Sequence, residues 1–156
     1  MSDTTGIDPR GPRFGAGITG VLLLVVIGLS LGGLVLPALI IFIAQTLLFA
    51  WGAFAGIKRH PYGLLFKKLV RPRLKPPTEL EDPIPPTFAQ GVGFVITGIG
   101  VILTLLGLTL ALPIAAALAF VAAFLNSVFG YCLGCQIYLL LVRVGVLGRR
   151  RPAATA

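Results

Sequence analysis

The chain has 156 residues, of which 56% are hydrophobic and only 12% charged. Soluble domains carry about 25% charged residues, so the composition excludes one. The net charge of +8 would suit nucleic acid, but every basic residue lies outside the long apolar stretches, where membrane orientation accounts for it.

Residues 1–12 read as a mobile polar tail. From Phe14 to Ile57 there is no ionisable side chain. A spanning helix needs about 20 apolar residues, so this stretch holds two. Its first run is long for a secretory signal and lacks an A-x-A-type cleavage site, so we expect an anchor rather than a cleaved peptide. The pattern predicts helices over residues 14–31 and 34–57, with a turn at Gly32 and Gly33. Pro37 is tolerated in a first turn, where the N–H groups lack intrahelical partners. Trp51 falls near the far end, where an indole rests at the headgroups.

Residues 61–70 place Tyr62, Leu65, Phe66 and Leu69 on one side and Lys67 and Lys68 on another, which predicts a short amphipathic helix in the interface. Residues 72–86 are rich in proline and should not form a regular helix. Further spans are expected over residues 88–110 and from Pro113 to about residue 132, then a second interfacial segment over residues 136–146 and a basic disordered tail.

The chain repeats itself. Asp8, Pro9, Pro12, Phe14 and Gly17 return in register as Asp82, Pro83, Pro86, Phe88 and Gly91. Each copy has two spans, so both enter from the same side, related by an axis along the membrane normal. The expected fold is all-α and integral to the membrane: four transmembrane helices as two tandem parallel hairpins, each followed by a short cytoplasmic interfacial helix. The expected divisions are a tail (1–12), a first hairpin repeat (13–75), a proline-rich linker (76–86), a second repeat (87–147) and a basic tail (148–156). Basic residues cluster at the termini and central loop, and the two hairpin tips carry none. This predicts a multi-pass protein of the cell membrane with both termini cytoplasmic and attraction to anionic lipid. Gly28 and Gly32, Gly52 and Gly56, and Gly130 and Gly134 are spaced for close helix packing.

The copies diverge where the first reads Lys58-Arg59-His60 and the second Cys132-Leu133-Gly134-Cys135. Two thiols three residues apart share a helix face and lie within disulfide reach. If helix four breaks at Gly130 or Gly134, Cys132 gains a helix N-terminus, which favours thiolate; if it runs on, both thiols meet a C-terminus, which does not. Gly134 favours the break. On a reducing cytoplasmic face a stable disulfide is not expected, and transient redox or metal chemistry is. Structural zinc wants four ligands, and only Cys132, Cys135 and His60 are at hand, so no complete metal site and no cofactor is expected within one chain. His60 aligns within one residue of Cys135. The plain alternatives are two cysteines that only pack and an interfacial His60 ahead of a turn-forming proline. Gln45, Gln90, Asn126 and Ser127 are the notable polar residues within the spans. None ionises, which argues against ion-coupled transport and favours interhelical hydrogen bonds. No phosphate loop, zinc-protease or serine-nucleophile motif occurs.

Arg10-Gly11-Pro12-Arg13-Phe14, His60 to Phe66 with Val70 to Leu74, Glu81-Asp82-Pro83 with Pro86 and Phe88-Ala89-Gln90, and Phe129-Gly130-Tyr131-Cys132-Leu133-Gly134-Cys135 together resemble a bacterial membrane family common in actinobacteria, the domain of unknown function 4395. The resemblance covers nearly all the chain beyond the N-terminal tail, and it carries over no catalytic residue. It implies a neighbourhood of thioredoxin-like or sulfurtransferase proteins. The leading expectation is therefore a membrane partner in thiol redox or sulfur transfer, with Cys132 attacking or accepting sulfur and Cys135 resolving. A non-enzymatic scaffold, homo-oligomeric or docked to a partner, is the alternative, and a small-solute transporter the third.

Overall fold

A computed structural model describes residues 6–147. Four helices are long and apolar enough to cross a membrane: α1 (Arg10–Leu31), α2 (Val35–Ala55), α4 (Ile84–Leu105) and α5 (Ala111–Phe129). Two short helices, α3 (Pro61–Leu65) and α6 (Leu133–Arg143), follow α2 and α5. Among the described residues there is no strand, only an isolated bridge between Ile7 and Glu81.

α1 packs on α2 and α5, and α4 packs on the same two, so the spans close into a ring in the order α1, α2, α4, α5. The core is small and tightly drawn: Leu23, Val26, Ala38, Phe42, Leu112, Ala115, Ala116 and Ala119. Leu24, Leu36, Leu47, Ile99, Leu105 and Ile114 face outward and exposed. In water such continuous apolar surface would drive association, and hydrocarbon is the solvent it fits. Three buried hydroxyls are satisfied within their own helices. Thr46, Thr97 and Thr104 donate to the carbonyls of Phe42, Gly93 and Gly100 at 2.7–2.8 Å.

Both α1 and α4 begin four residues earlier than the apolar pattern predicts. Each opens on Asp-Pro. The Asp8 carboxylate accepts from Arg10 N–H at 3.0 Å, and the Asp82 carboxylate from Ile84 N–H at 2.9 Å. Pro12, Pro85 and Pro86 then fall in the first turn, where a missing N–H breaks no helical bond. The proline-rich linker is therefore shorter than expected, because its last three residues are helix. The tips also match. Gly33 and Gly107 have φ of +83° and +97°, and Leu34 and Leu108 N–H donate back to Leu29 and Leu103 at 2.9 and 3.0 Å.

α3 departs from its expected face. After Leu65 it widens into a π-helical turn over Phe66–Val70. Only Phe66 is buried and Tyr62 half-buried, while Leu65 and Leu69 stay exposed. The buried pair faces α1: the Phe66 ring lies 5.8 Å from that of Phe14, and Tyr62 sits against Gly15. α6 begins at Leu133, three residues before the expected segment, and docks on α4 with Gly134 against Ala89 and Tyr138 against Phe88.

The glycine spacing picks out only part of the packing. Gly52 and Gly134 are closely approached, but Gly28 meets nothing within 4 Å and Gly32 only its own helix. The helix contacts instead use Gly93, under the Phe49 ring, and Gly100, under Phe42 and Ala115. A Cβ on Gly100 would stand 2.5 Å from that of Ala115. Gly100→Val should therefore destabilise the bundle by about 1–3 kcal/mol. Gly98→Ala, with nothing within 4 Å, should change stability by less than about 0.5 kcal/mol. Denaturant titration of the purified protein in detergent reads both.

The N-terminal segment is tied to the linker. Ile7 and Glu81 exchange backbone hydrogen bonds, both 2.9 Å. Arg10 grips Asp8 at 2.8 Å and donates to the Lys75 carbonyl at 3.0 Å. The Arg10 hydrogen bond holds the Asp8 carboxyl below its ordinary 3.8, against the opposing effect of burial. Its stabilisation is then complete above that ordinary value and disappears as pH falls through the depressed folded value. The gap in melting temperature between the parent and Asp8→Asn should therefore close on acidification, measured by thermal unfolding across pH.

Candidate functional site

Each long hairpin ends in a glycine of positive φ, Gly56 at +87° and Gly130 at +67°. Only glycine takes such angles without strain, so both chains turn sharply out of the bundle there. The chain then restarts as a short helix, and the caps of the two restarts are candidate residues, His60 and Cys132.

In the second half the cap is Cys132. α5 stops at Gly130, whose N–H donates to the Asn126 carbonyl at 3.0 Å, and Tyr131 N–H reaches the Leu125 carbonyl at 3.1 Å. Of the two arrangements left open by the sequence, the break is the one present. Cys132 sits in extended conformation as the N-cap of α6, and its Sγ accepts from Cys135 N–H at 3.3 Å. The two sulfurs are joined as a disulfide with Cα atoms 5.2 Å apart, where the compartment argument led us to expect free thiols. Both residues are half-buried. On reduction, the first-turn amides and the helix dipole favour negative charge on the Cys132 sulfur. The Arg13 guanidinium lies against Gly130, two residues upstream.

In the first half the cap is His60. Its Nδ1 accepts from Tyr62 N–H at 3.2 Å, which leaves the ring proton on Nε2. The ring is buried and meets Tyr62 edge-on at 5.0 Å. Burial holds the imidazole below its ordinary pKa, partly offset by the Leu48 carbonyl. Gly52 makes room for it. A Cβ there would stand 2.9 Å from the His60 ring and 2.7 Å from the Gln90 side chain. His60 Nε2 and Gln90 Oε1 are buried, and neither has a hydrogen-bond partner.

His60 thus corresponds in space to Cys132, not to Cys135 as the sequence alignment suggested. The second connection is two residues shorter, from Gly130 to Cys132 against Gly56 to His60. The same two-residue shift pairs Phe66 with Tyr138: each stacks on the phenylalanine four residues past the start of its span's helix, at 5.8 and 5.5 Å. The Asp-Pro starts and the helix-ending glycines share one register, so the difference arises only after the glycine, in the length of the connection to each short helix.

His60 and both cysteines line one cavity of about 680 Å³ at the end of the bundle, with Arg13, Gln90 and Asn126. Among the described residues no three of His, Cys, Asp or Glu gather closely enough to hold a metal. The weak candidate set Cys132, Cys135 and His60 is therefore not assembled: one helix start carries the sulfurs and another the imidazole. Of the polar residues within the spans, Gln45 is the true interhelical link. Its Nε2 donates to Thr19 Oγ1 at 3.4 Å, and its Oε1 accepts from the Tyr62 hydroxyl at 3.1 Å. Thr87, which no pattern singled out, accepts from Ile57 N–H at 3.2 Å and so steadies the turn into α3.

No curated protein and no solved structure matches this chain. The family model described as a domain of unknown function, DUF4395, matches residues 7–143, from the Asp-Pro start of the first span to the end of α6, and the chain belongs to that family.

Proposed function

We propose that this membrane protein works by thiol–disulfide or sulfur-transfer chemistry at Cys132 and Cys135. The observation that carries the reading is the position of Cys132. It caps α6, accepts a first-turn amide on its sulfur and stands bonded to its only possible intrachain partner. A thiolate held this way is the better nucleophile of the pair, and Cys135, inside the first turn, is placed to resolve.

The same residues support a cell-membrane protein with both termini in the cytoplasm. Arg10, Arg13, Lys58, Arg59, Lys67, Lys68 and Arg143 adjoin the span ends that carry α3 and α6, and the opposite tips are uncharged. The partner would then be a thioredoxin-like or sulfurtransferase protein at that face. The matched starts, tips, glycine ends and aromatic stacks support two tandem copies of one hairpin unit. A scaffold is the second reading. In its favour, Gly134 packs so closely on Ala89 that the sulfur bridge could serve only to staple the first turn of α6.

With the protein reduced in native membranes, Cys132 should alkylate faster than Cys135 at neutral pH. Cys135→Ser should trap a mixed disulfide with its partner, and Cys132→Ser should not. Thiols that stay inert, with no mixed disulfide in either variant, would leave the scaffold. An impermeant maleimide added to intact cells should reach neither sulfur.

A further inference from the structure

Making the Cys132–Cys135 disulfide releases two electrons, and the acceptor must come from outside the chain. The protein has only these two cysteines, and the described residues hold no candidate metal cluster. The cavity indicates what that acceptor is.

One wall is polar. His60 is 4% exposed and its Nε2 proton, near the Leu48 carbonyl, makes no well-formed hydrogen bond; beside it, over Gly52, Gln90 Oε1 has nothing to accept from. Leaving such groups buried and unpaired costs about 1–3 kcal/mol each, so an occupant that pairs both is strongly favoured. One kind of group satisfies both at once: an oxygen that accepts from His60 and, when protonated, donates to Gln90. The opposite flank is apolar. Leu118 and Val121 of α5 and Ile137 and Leu139 of α6 line it, and all four are exposed on the membrane-facing surface. The volume of about 680 Å³ falls in the usual range of about 300–1,000 Å³ for small-molecule sites. The disulfide lines the same cavity, and Gly134, between the two cysteines, packs on Ala89, the neighbour of Gln90.

We infer that the cavity binds a lipid-soluble quinone, with a ring oxygen between His60 Nε2 and Gln90 Oε1 and the tail leaving past Leu118 and Val121. The inference rests on the dithiol reading above. Two S–H bonds break and one S–S bond forms. The two electrons and two protons pass to the two ring carbonyl oxygens, and the quinone leaves as hydroquinone. Its phenolic hydroxyl accepts from His60 and donates to Gln90, which a carbonyl alone does not do.

The test uses the full chain, reduced and placed in phosphatidylcholine nanodiscs, with a decyl-substituted benzoquinone. Quinol formation and thiol loss are followed together, and quinone affinity is measured separately. One quinol should appear for every two thiols lost. His60→Ala should weaken quinone binding about tenfold, and Gln90→Leu should weaken hydroquinone binding, measured alongside, about tenfold, each the loss of roughly one buried hydrogen bond. Where His60→Ala does not fold, Gln90→Leu, at the less buried position, decides. Cys132→Ser should bind the quinone and not reduce it. If the reduced parent exchanges with oxidised glutathione but neither binds nor reduces the quinone, the inference is overturned and the dithiol reading stands. If it exchanges with neither, both fall. Parent-like hydroquinone binding in both His60→Ala and Gln90→Leu, or a cavity holding phospholipid that the quinone does not displace, also overturns it.

Discussion

Hydrocarbon offers no hydrogen bonds, and this governs where anything polar sits in the molecule. Inside the spans each backbone group is bonded along its own helix, and three buried hydroxyls turn back onto carbonyls one turn earlier. Backbone donors and acceptors are left over only where a helix begins or ends. The chain has restarted twice, after Gly56 and after Gly130, and each restart sets a polar side chain over fresh amide groups. His60 and Cys132 occupy those two places. The polar candidates thus gather at helix starts, at one end of a ring of apolar helices.

The two restarts are built from the same parts and then differ in what they carry. Asp-Pro openings, positive-φ tips and aromatic stacks serve the same purposes in both halves. Where the first half has a buried imidazole over a bare glycine, the second has the sulfur pair beyond Gly130. The two ends share a plan and differ in the side chain that caps the short helix.

The spans were legible because apolar length is a direct physical requirement of the bilayer. The tips were legible too, since glycine pairs between uncharged runs have few other uses. Helix starts were misjudged by four residues because proline reads as a breaker, although in a first turn it removes no bond. The face of α3 was misread for a different reason: a π-helical turn shifts the angular spacing, and nothing in Phe66 to Val70 announces one. The cysteines were visible from their spacing. Whether they stood at a helix start depended on Gly130 taking a left-handed angle, which Gly134 competed to explain. The grouping of His60 with Gln90 over Gly52 joins α2, α3 and α4, and no local pattern encodes a three-way meeting.

The small antiparallel bridge between Ile7 and Glu81, with Arg10 reaching the Lys75 carbonyl, has a mechanical meaning. It stitches the entrance of α1 to the entrance of α4 on the side where the cavity opens. Carriers that expose a substrate first to one compartment and then to the other must let their halves swing apart at each mouth in turn. Here main chain joins the two entrances on that side, an arrangement that suits a bundle whose halves stay together.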